Sequence, residues 1–448
     1  MITNLHTKNF RAFEELNLNF SKINLFLGPN NAGKSSILSA LIILSQTLKC
    51  SDRNAPILLT GDGVMKDFGT YGDLVFKNET KREITISLGF NTQPSTGKLT
   101  PVLRGFIPKE GINGNIKLEY KYRPKNHKII LKSCEVEMPL GEIAIKTKYI
   151  GHSEKPVIET YFKQKKELPQ MRMNNFSPQL FFRKFEENSF LLDRFIIDIT
   201  DHLRKIEYIG PFRESPNRIY PFSGESPAFA GEQGKRAVEM LAEDYYRRRG
   251  KKKIDLAEKV SNWFKESGIA EEIYVKRLTE KYFEIILTHI YSKEKENLVD
   301  VGFGCGQVLP ILVAGYNLKP GRTLVVEQPE IHLHPKAQAE LGTFFKDLAL
   351  NDIQLFIETH SEHLLLRLQS YVASGDLKPE DVKVYYVYSN KDKDGKKETV
   401  ELPLNDKGYF SKEWPEGFFP ERLNEAIKIE EALSNKSKKN GPRGRSCS

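Results

Sequence analysis

The sequence predicts an α/β fold in which a mixed β-sheet carries a glycine-rich loop, with an inserted antiparallel β-layer and a helical subdomain. Three observations predict this fold. An apolar run over residues 23–27 leads into a glycine-rich loop and then into a helix-like run over residues 35–48. Two further apolar runs, residues 323–327 and 354–361, end in polar side chains, which is typical of buried parallel strands. Residues 81–162 contain runs that alternate with the period of two expected of antiparallel strands.

Composition and charge set the broad class of the protein. The chain has 448 residues, enough for two to four domains of ordinary size. Its hydrophobic fraction of 39% and charged fraction of 28% are those of a globular protein. The net charge of +9 is compatible with a nucleic-acid partner, but scattered solvated lysines explain it equally well. Few, widely spaced cysteines and the absence of signal-length or membrane-length apolar runs predict a reduced, cytoplasmic protein with no membrane partner.

The pattern along the chain divides it into six predicted segments. They are an N-terminal lobe with the phosphate-binding loop (1–80), an inserted antiparallel β region (81–170), a helical or lid region with a hairpin (171–298), a C-terminal lobe (299–390), a C-terminal segment (391–435) and a basic, disordered tail (436–448). Within the third segment, helices are predicted over residues 176–205 and 237–266, a Gly- and Pro-rich loop over 206–235, and a hairpin over 272–291.

The most specific motif runs from Gly28 to Ser35 and matches G-x-x-x-x-G-K-S. It follows a predicted strand and precedes a predicted helix, which is the context that this motif requires. Its backbone N–H groups can close around phosphate oxygens at the positive end of the helix dipole. Lys34 is expected to reach the β- and γ-phosphates of a nucleoside triphosphate, and the Ser35 hydroxyl is expected to ligate Mg²⁺.

Two other strand ends predict the remainder of the site. Glu327 closes an apolar strand and is placed to hold Mg²⁺, directly or through water, with Glu330 as a second acid nearby. Thr359-His360-Ser361 closes the next apolar strand. Since parallel strands share one carboxyl edge, His360 is expected beside Glu327 and the phosphate-binding loop, within reach of the γ-phosphate.

Glycines and histidines supply two less specific signals. The segment Val301–Gln307 opens a predicted helix, and its glycines expose backbone donors that can bind an anion. His332 and His334, together with His360 and His363, could hold a transition metal. The family motifs described next explain these histidines better.

In this order, the motifs resemble the recombination-type ATP-binding-cassette ATPases: the SMC, RecF and overcoming-lysogenization-defect proteins. Asn9–Phe13 resembles the N-terminal strand and turn of that family, and Gly28–Ser36 resembles its P-loop. Val301–Gln307 is similar to its signature helix, and Glu327–Pro335 is similar to its Walker B motif and D-loop. Trp414–Phe419 resembles the end of a group of prokaryotic ATPases, many of them found near phage-defence genes.

The resemblance implies an ABC-ATPase-like head that uses ATP and Mg²⁺ and forms a dimer or a higher even-numbered oligomer around ATP. The site residues that it implies are catalytic (Glu327, Gln328, Glu330, His360), nucleotide-binding (Arg11, Gly28, Asn30, Asn31, Ala32, Gly33, Lys34, Ser35, Ser36, Gly304, Gly306, Gln307) and metal-binding (Ser35, Glu327). It further implies action on DNA, or on an effector or nuclease protein in trans, in prokaryotic defence or genome maintenance. The alternative is a non-hydrolysing, ATP-dependent sensor scaffold that holds a toxic partner.

This chain departs from the family pattern at three places. Gly304 occupies the position of the usual signature serine, and Gln328 occupies the position of the usual catalytic glutamate. Because an amide cannot take a proton from water at neutral pH, either Glu330 is the base or hydrolysis is slow. No Q-loop glutamine stands out in residues 66–75.

Two basic stretches, Arg247–Lys253 and Lys436–Arg445, are either phosphate contacts or solvated charge.

Overall fold

In the computed structural model, the described residues are 1–61, 64–92, 111–140, 143–150, 157–162, 165–167, 170–181, 187–247, 256–413 and 428. The strands are β1 Ile2–Phe10, β2 Phe13–Asn19, β3 Ile23–Leu27, β4 Ile84–Thr92, β5 Ile112–Arg123, β6 Lys128–Leu140, β7 Ile143–Ile150, β8 Val157–Phe162, β9 Lys165–Glu167, β10 Gln170–Asn174, β11 Ser177–Phe181, β12 Glu207–Ile209, β13 Tyr220–Pro221, β14 Glu272–Arg277, β15 Tyr282–Thr288, β16 Lys295–Asn297, β17 Thr323–Glu327, β18 Gln354–Glu358, β19 Val382–Asn390 and β20 Lys396–Glu401. The α-helices are α1 Lys34–Lys49, α2 Tyr71–Leu74, α3 Glu187–Arg204, α4 Ala237–Arg247, α5 Leu256–Glu266, α6 Phe303–Asn317, α7 Pro335–Leu350 and α8 Glu362–Ser374.

A six-stranded sheet positions the functional motifs. Its order is β12-β17-β18-β3-β19-β20, and all neighbours are parallel except the antiparallel pair β19–β20. Strands β3, β17 and β18 are buried along their whole length, as expected of parallel strands covered on both faces. The strand that leads into Thr359–Ser361 therefore lies between the strand of Glu327 and the strand of the phosphate-binding loop, as predicted from the shared edge of parallel strands.

The antiparallel layer is an eight-stranded sheet in the order β2-β1-β4-β5-β6-β7-β8-β9. Its alternating strands confirm the expectation from the period-two pattern. The layer is built on the N-terminal hairpin, because β1 pairs with β2 on one side and with β4 on the other. A smaller antiparallel sheet contains the predicted hairpin, which forms as β14 paired with β15.

Two predictions for the middle of the chain are wrong in part. The helix predicted over residues 176–205 begins only at Glu187, since residues 177–181 form β11, paired with β10. Asn175 turns this hairpin with a φ of +57°, a conformation that asparagine tolerates. The loop predicted over residues 206–235 contains β12, which is parallel to β17. A strand of three residues is too short to show a periodic pattern.

The six-stranded sheet separates two hydrophobic cores. Phe26, Val325 and Phe356 pack on the face of α1 and the antiparallel layer. Their strand neighbours, such as Leu25 and Leu324, pack on the opposite face with helices α4 to α8. Almost all residues of α1 are buried. Packing on several sides therefore holds the N-terminus of this helix at the edge of the sheet. In the part of the chain described, no helix is long and apolar enough to cross a membrane.

Lys49, at the end of α1, and Glu207, in the edge strand β12, interact electrostatically. Lys49 Nζ donates to the carbonyl oxygen of Ile206 over 2.7 Å and lies 4.1 Å from the centre of the Phe229 ring. Glu207 Oε1 accepts the N–H of Ala230 at 2.9 Å. Burial raises the pKa of Glu207 to about 7, which the charge of Lys49 opposes. Burial also lowers the pKa of Lys49 to about 8.

This raised pKa predicts a pH-dependent effect of Glu207→Gln on stability. The folded chain favours protonated Glu207, so the carboxyl destabilises the fold increasingly as the pH rises from about 4.5 to about 7. Glutamine stays neutral across this range. The thermal midpoint of Glu207→Gln should therefore rise relative to wild type between about pH 5 and pH 7, by the equivalent of roughly 2 kcal/mol. Melting curves at the two pH values measure it.

Glu271→Gln is the matched control, because Glu271 is only partly buried beside Lys265 and its pKa is lowered by that lysine. Its midpoint relative to wild type should not change across the same range. A Glu207→Gln difference that is equal at both pH values would show that Glu207 ionises normally in the fold.

Candidate functional site

The loop between β3 and α1 has a backbone shaped by glycine. Gly28 has a φ of +138°, and a Cβ there would lie 2.0 Å from the carbonyl oxygen of Val387, so no other residue fits. Helix α1 begins at Lys34. Its N-cap residue is Gly33, so no side chain forms a capping hydrogen bond there. Its first turn also contains no acidic residue. The N–H groups at this helix end are therefore available to an anion.

Lys34 lies across the loop. Its Nζ donates to the carbonyl oxygens of Gly28 at 3.0 Å and Pro29 at 2.9 Å. The residue is 3% exposed, and burial lowers its pKa, while the carboxylates of Glu358 and Glu330 oppose that shift. Among the other predicted loop residues, Asn30 and Asn31 are exposed and Ala32 and Ser36 are buried. Lys34 is thus a cation held at the centre of the loop.

Two carboxylates lie side by side at the edge of the sheet. The parallel register of β17 and β18 pairs Glu327 with Glu358. The hydroxyl of Ser35 donates to Glu358 Oε2 at 2.8 Å, and Lys34 Nζ lies 3.9 Å from Glu358 Oε1. Burial and the neighbouring charge of Glu327 raise the pKa of Glu358 to about 7. Ser35 therefore contacts Glu358, a residue that the motifs did not single out, although it closes an apolar strand as Glu327 does.

Glu327 is held by two donors from other parts of the chain. Its Oε1 accepts from Lys66 Nζ at 2.6 Å and from the Tyr208 hydroxyl at 2.9 Å. Lys66 comes from the region in which no Q-loop glutamine could be found, and Tyr208 comes from the predicted loop that contains β12. Neither residue belongs to a recognisable motif, so only the fold brings them to the site.

The donor atoms at this edge fit Mg²⁺. Two adjacent carboxylates and the Ser35 hydroxyl form a set of hard oxygen donors, which this ion prefers, and its remaining positions are usually filled by water or phosphate oxygens. Within the described residues, no group of three or more His, Cys, Asp or Glu side chains could hold a metal. The alternative of a transition metal on His332, His334, His360 and His363 is thus without a cluster.

Gln328 and Glu330 follow Glu327 in the chain. Gln328 has a φ of +47°, and its N–H donates to the carbonyl oxygen of Glu358 at 2.7 Å. Both carboxylate oxygens of Glu330 are engaged: Oε1 accepts the N–H of His360 at 2.6 Å and Oε2 accepts the Thr359 hydroxyl at 2.8 Å. Glu330 is 9% exposed and burial raises its pKa. Glu330 is therefore bonded to the segment that carries His360.

His360 is neutral at physiological pH. Burial, together with the positive charge of Lys34, lowers the pKa of its imidazole to about 4. The structure thus brings His360 close enough to Lys34 for the lysine charge to disfavour the protonated imidazole, as the shared edge of parallel strands predicts. A neutral imidazole can donate a hydrogen bond from one nitrogen and accept at the other.

Arg213 supports the backbone after Glu327. Its Nη2 donates to the carbonyl oxygens of Glu327 at 2.7 Å and Gln328 at 3.1 Å. Burial lowers its pKa to about 10, against the charges of Glu330, Tyr208 and Glu327. Arg213 lies in the Gly- and Pro-rich stretch of residues 206–235, which the sequence marks only as a loop.

Arg11 borders the site, whereas the residues of the signature segment pack inside the chain. The Arg11 guanidinium lies 5.5 Å from the centre of the Phe68 ring and interacts electrostatically with Glu327, so it borders the site. The signature residues instead pack inside the chain. A Cβ at Gly304 would lie 2.4 Å from the carbonyl oxygen of His332, and one at Gly306 would lie 2.8 Å from the Pro216 side chain.

The remaining signature residue, Gln307, is also part of internal packing. It is 4% exposed, and its Nε2 donates to the carbonyl oxygen of Arg213 at 3.4 Å. The exposed part of the segment is its start, at Gly302 and Phe303. Trp414–Phe419, residues 248–253 of the first basic stretch and the whole of Lys436–Arg445 lie outside the described residues.

Comparison with known proteins gives two family matches. Residues 1–365 match the family described as "AAA ATPase domain", and residues 377–429 match "Protein of unknown function (DUF3696)".

Two curated relatives match short parts of the chain. An uncharacterized protein of Methanocaldococcus jannaschii is 37% identical over 92 residues, which is 19% of this chain and 41% of the relative. The DNA replication and repair protein RecF of Lactobacillus johnsonii is 45% identical over 47 residues, 10% of this chain and 13% of the relative. The chain thus spans less than half the length of the curated relatives it matches.

Among solved structures, the Smc head domain bound to the C-terminal domain of ScpA, derived from Pyrococcus furiosus, aligns with a TM-score of 0.46 at 12% identity. The alignment covers 97% of this chain and 99% of that one.

Proposed function

The chain belongs to the AAA ATPase domain family, and from that premise we propose that it binds ATP with Mg²⁺ at the edge of the six-stranded sheet, hydrolyses it slowly and dimerises around it. The family match confirms the predicted P-loop fold class, and with the RecF relative it confirms the predicted resemblance to ATPases of the SMC and RecF type. The C-terminal part carries the DUF3696 domain.

One observation carries the proposal: the N-terminus of α1 presents Lys34 and Ser35 directly to the paired strand ends of Glu327 and Glu358. Triphosphate oxygens would bind the loop N–H groups, and Lys34 would exchange two loop carbonyls for phosphate oxygens. Ser35, Glu327 and Glu358 would hold Mg²⁺, which when bound neutralises charge on the phosphate chain. The neutral imidazole of His360 would contact the γ-phosphate.

Slow hydrolysis follows from the side chains near the expected water. Gln328 cannot accept a proton at neutral pH. Glu330 is engaged through both oxygens by Thr359 and His360, so it positions His360 and is not free to orient water. This arrangement also supports the second candidate, a non-hydrolysing sensor scaffold that holds a toxic partner, and the turnover rate separates the two.

The proposed dimer rests on the exposed start of α6. One P-loop leaves part of the γ-phosphate charge unpaired, and the N-terminus of α6 in a second chain can supply backbone donors to it. In this proposal, Gly304, Gly306 and Gln307 shape that helix end from within, and Gly302 and Phe303 face the partner. Higher even-numbered oligomers would use the same contact.

We further propose that the ATP-bound assembly acts on DNA or on an effector or nuclease protein in trans, in prokaryotic defence or genome maintenance. The name of the RecF relative supports a DNA partner, and the net charge of +9 is compatible with one. The motif resemblance supports a defence setting.

The first prediction concerns nucleotide binding. Lys34→Ala removes the cation at the centre of the loop, so the affinity for ATP should fall at least about tenfold, or roughly 1.4 kcal/mol. Isothermal titration calorimetry measures it. Lys22→Ala, which removes a partly exposed lysine paired with Asp381, should bind ATP as wild type does. Equal affinities for wild type and Lys34→Ala would place the nucleotide elsewhere.

The second prediction concerns the rate. Wild-type turnover should lie below the range of about 1–100 s⁻¹ that is typical of kinases. Gln328→Glu introduces a proton acceptor beside the metal position and should raise turnover at least about tenfold. Steady-state phosphate release measures both rates. If Gln328→Glu has no effect and Glu330→Gln abolishes turnover, Glu330 is the base.

The third prediction concerns assembly. A Cβ at Gly302 would meet only open space, so Gly302→Trp should block a partner without disturbing the fold. Light scattering should show an ATP-dependent dimer for wild type and not for Gly302→Trp, while calorimetry shows that both still bind ATP. Leu350→Trp, at the exposed end of α7, is the control and should dimerise. A wild-type monomer at saturating ATP would exclude the two-chain site.

A further inference from the structure

Lys66 occupies the carboxylate on which the proposed function places Mg²⁺. Its Nζ lies 2.6 Å from Glu327 Oε1, and the lysine and glutamate side chains are 20% and 5% exposed. We propose that Lys66 is a resident cation of the metal position, which neutralises Glu327 in the nucleotide-free chain and must be displaced when a divalent metal binds. This inference rests on the proposed function, because that function assigns the metal to Glu327.

The backbone of Lys66 is hydrogen-bonded to a side chain of α1. The N–H of Lys66 donates to Gln46 Oε1 at 3.1 Å. Gln46, buried in α1, also donates through Nε2 to the carbonyl oxygen of Leu58 at 2.7 Å, and the Leu58 N–H donates to Thr47 Oγ1 at 2.9 Å. The segment that carries Lys66 is thus attached to α1. Release of Glu327 needs only rotation of the flexible lysine stem, whose head already has partial access to solvent.

The acidic surroundings explain why a cation is held there. Glu327 and Glu358 are neighbours in register, and the charge of Glu327 disfavours the ionised form of Glu358. The charge of Lys66 favours the ionised forms of Glu358 and Glu232. Removing Lys66 therefore leaves the strand ends with an excess of negative charge until another cation arrives.

An ammonium group and a divalent ion cannot share this carboxylate without strong repulsion. Two like charges held this close in a poorly screened site repel each other strongly, and the double charge of the metal doubles the repulsion. Because Lys66 is tethered to the chain, its ion pair competes with metal in every nucleotide-free molecule. The metal affinity of that state is therefore reduced, and metal enters together with the triphosphate, whose oxygens supply further ligands.

The test measures Mn²⁺ binding to the full chain without nucleotide, by electron paramagnetic resonance of the free ion. Lys66→Met removes the charge and keeps a long stem, so it should bind Mn²⁺ at least about tenfold more tightly than wild type. Without metal its thermal midpoint should lie below that of wild type, and Mg²⁺ should raise it more than it raises the wild-type midpoint. Lys66→Arg keeps the charge and should bind Mn²⁺ no more tightly than wild type does.

Lys276→Met is the matched control, because it removes an exposed lysine paired with Glu284 at 2.8 Å; its metal binding should equal that of wild type. If Lys66→Met does not fold, Lys66→Gln gives the same comparison. Equal Mn²⁺ affinity of wild type and the neutral variant would overturn the inference. Calorimetry with Mg²⁺ and ATP on wild type and Lys34→Ala distinguishes a failure of this inference from a failure of the proposed function. If ATP binding depends on Lys34 and the Mn²⁺ affinities are equal, only this inference fails. If the wild type does not bind ATP, the proposed function itself fails.

Discussion

The register between β17 and β18 determines the geometry of the whole site. It places the carboxylates of Glu327 and Glu358 next to each other at a buried sheet edge, where two negative charges are unfavourable without cations. Lys34 and Lys66 supply positive charge from different segments, one from the start of α1 and one from the segment after this helix. The helix α1 connects both lysines, so its burial between the sheet and the antiparallel layer fixes the geometry of the charges.

The local parts of this site could be predicted from the sequence, and the parts made by distant contacts could not. The loop Gly28–Ser35 and the acid Glu327 stand at the ends of apolar strands, and such patterns are visible in a single segment. Glu358 has the same position on its strand, but the polar residues that follow it hide its role. Lys66 and Arg213 lie in stretches without periodicity, and the chain brings them to the site only through tertiary folding.

The glycines of the signature segment show the same limit. Their spacing predicts backbone exposure at a helix start, but Gly304 and Gly306 are required by close contacts with His332 and Pro216 inside the chain. Likewise, β12 contributes an edge strand to the main sheet with only three residues, and Pro- and Gly-rich flanks hide it. In each case a tertiary contact, and not a local preference, determines what the residue does.

If Ser35, Glu327 and Glu358 hold the metal of a bound triphosphate, the Lys66 ammonium group must move away from Glu327 when the metal binds. Anomalous diffraction from crystals grown with Mn²⁺ and a slowly hydrolysed ATP analogue shows both events in one experiment. We expect one manganese peak within about 2.5 Å of the Ser35 hydroxyl oxygen, near both carboxylates, with Lys66 moved away from Glu327. A peak elsewhere, or manganese at the strand ends with the Lys66–Glu327 ion pair intact, would contradict this assignment.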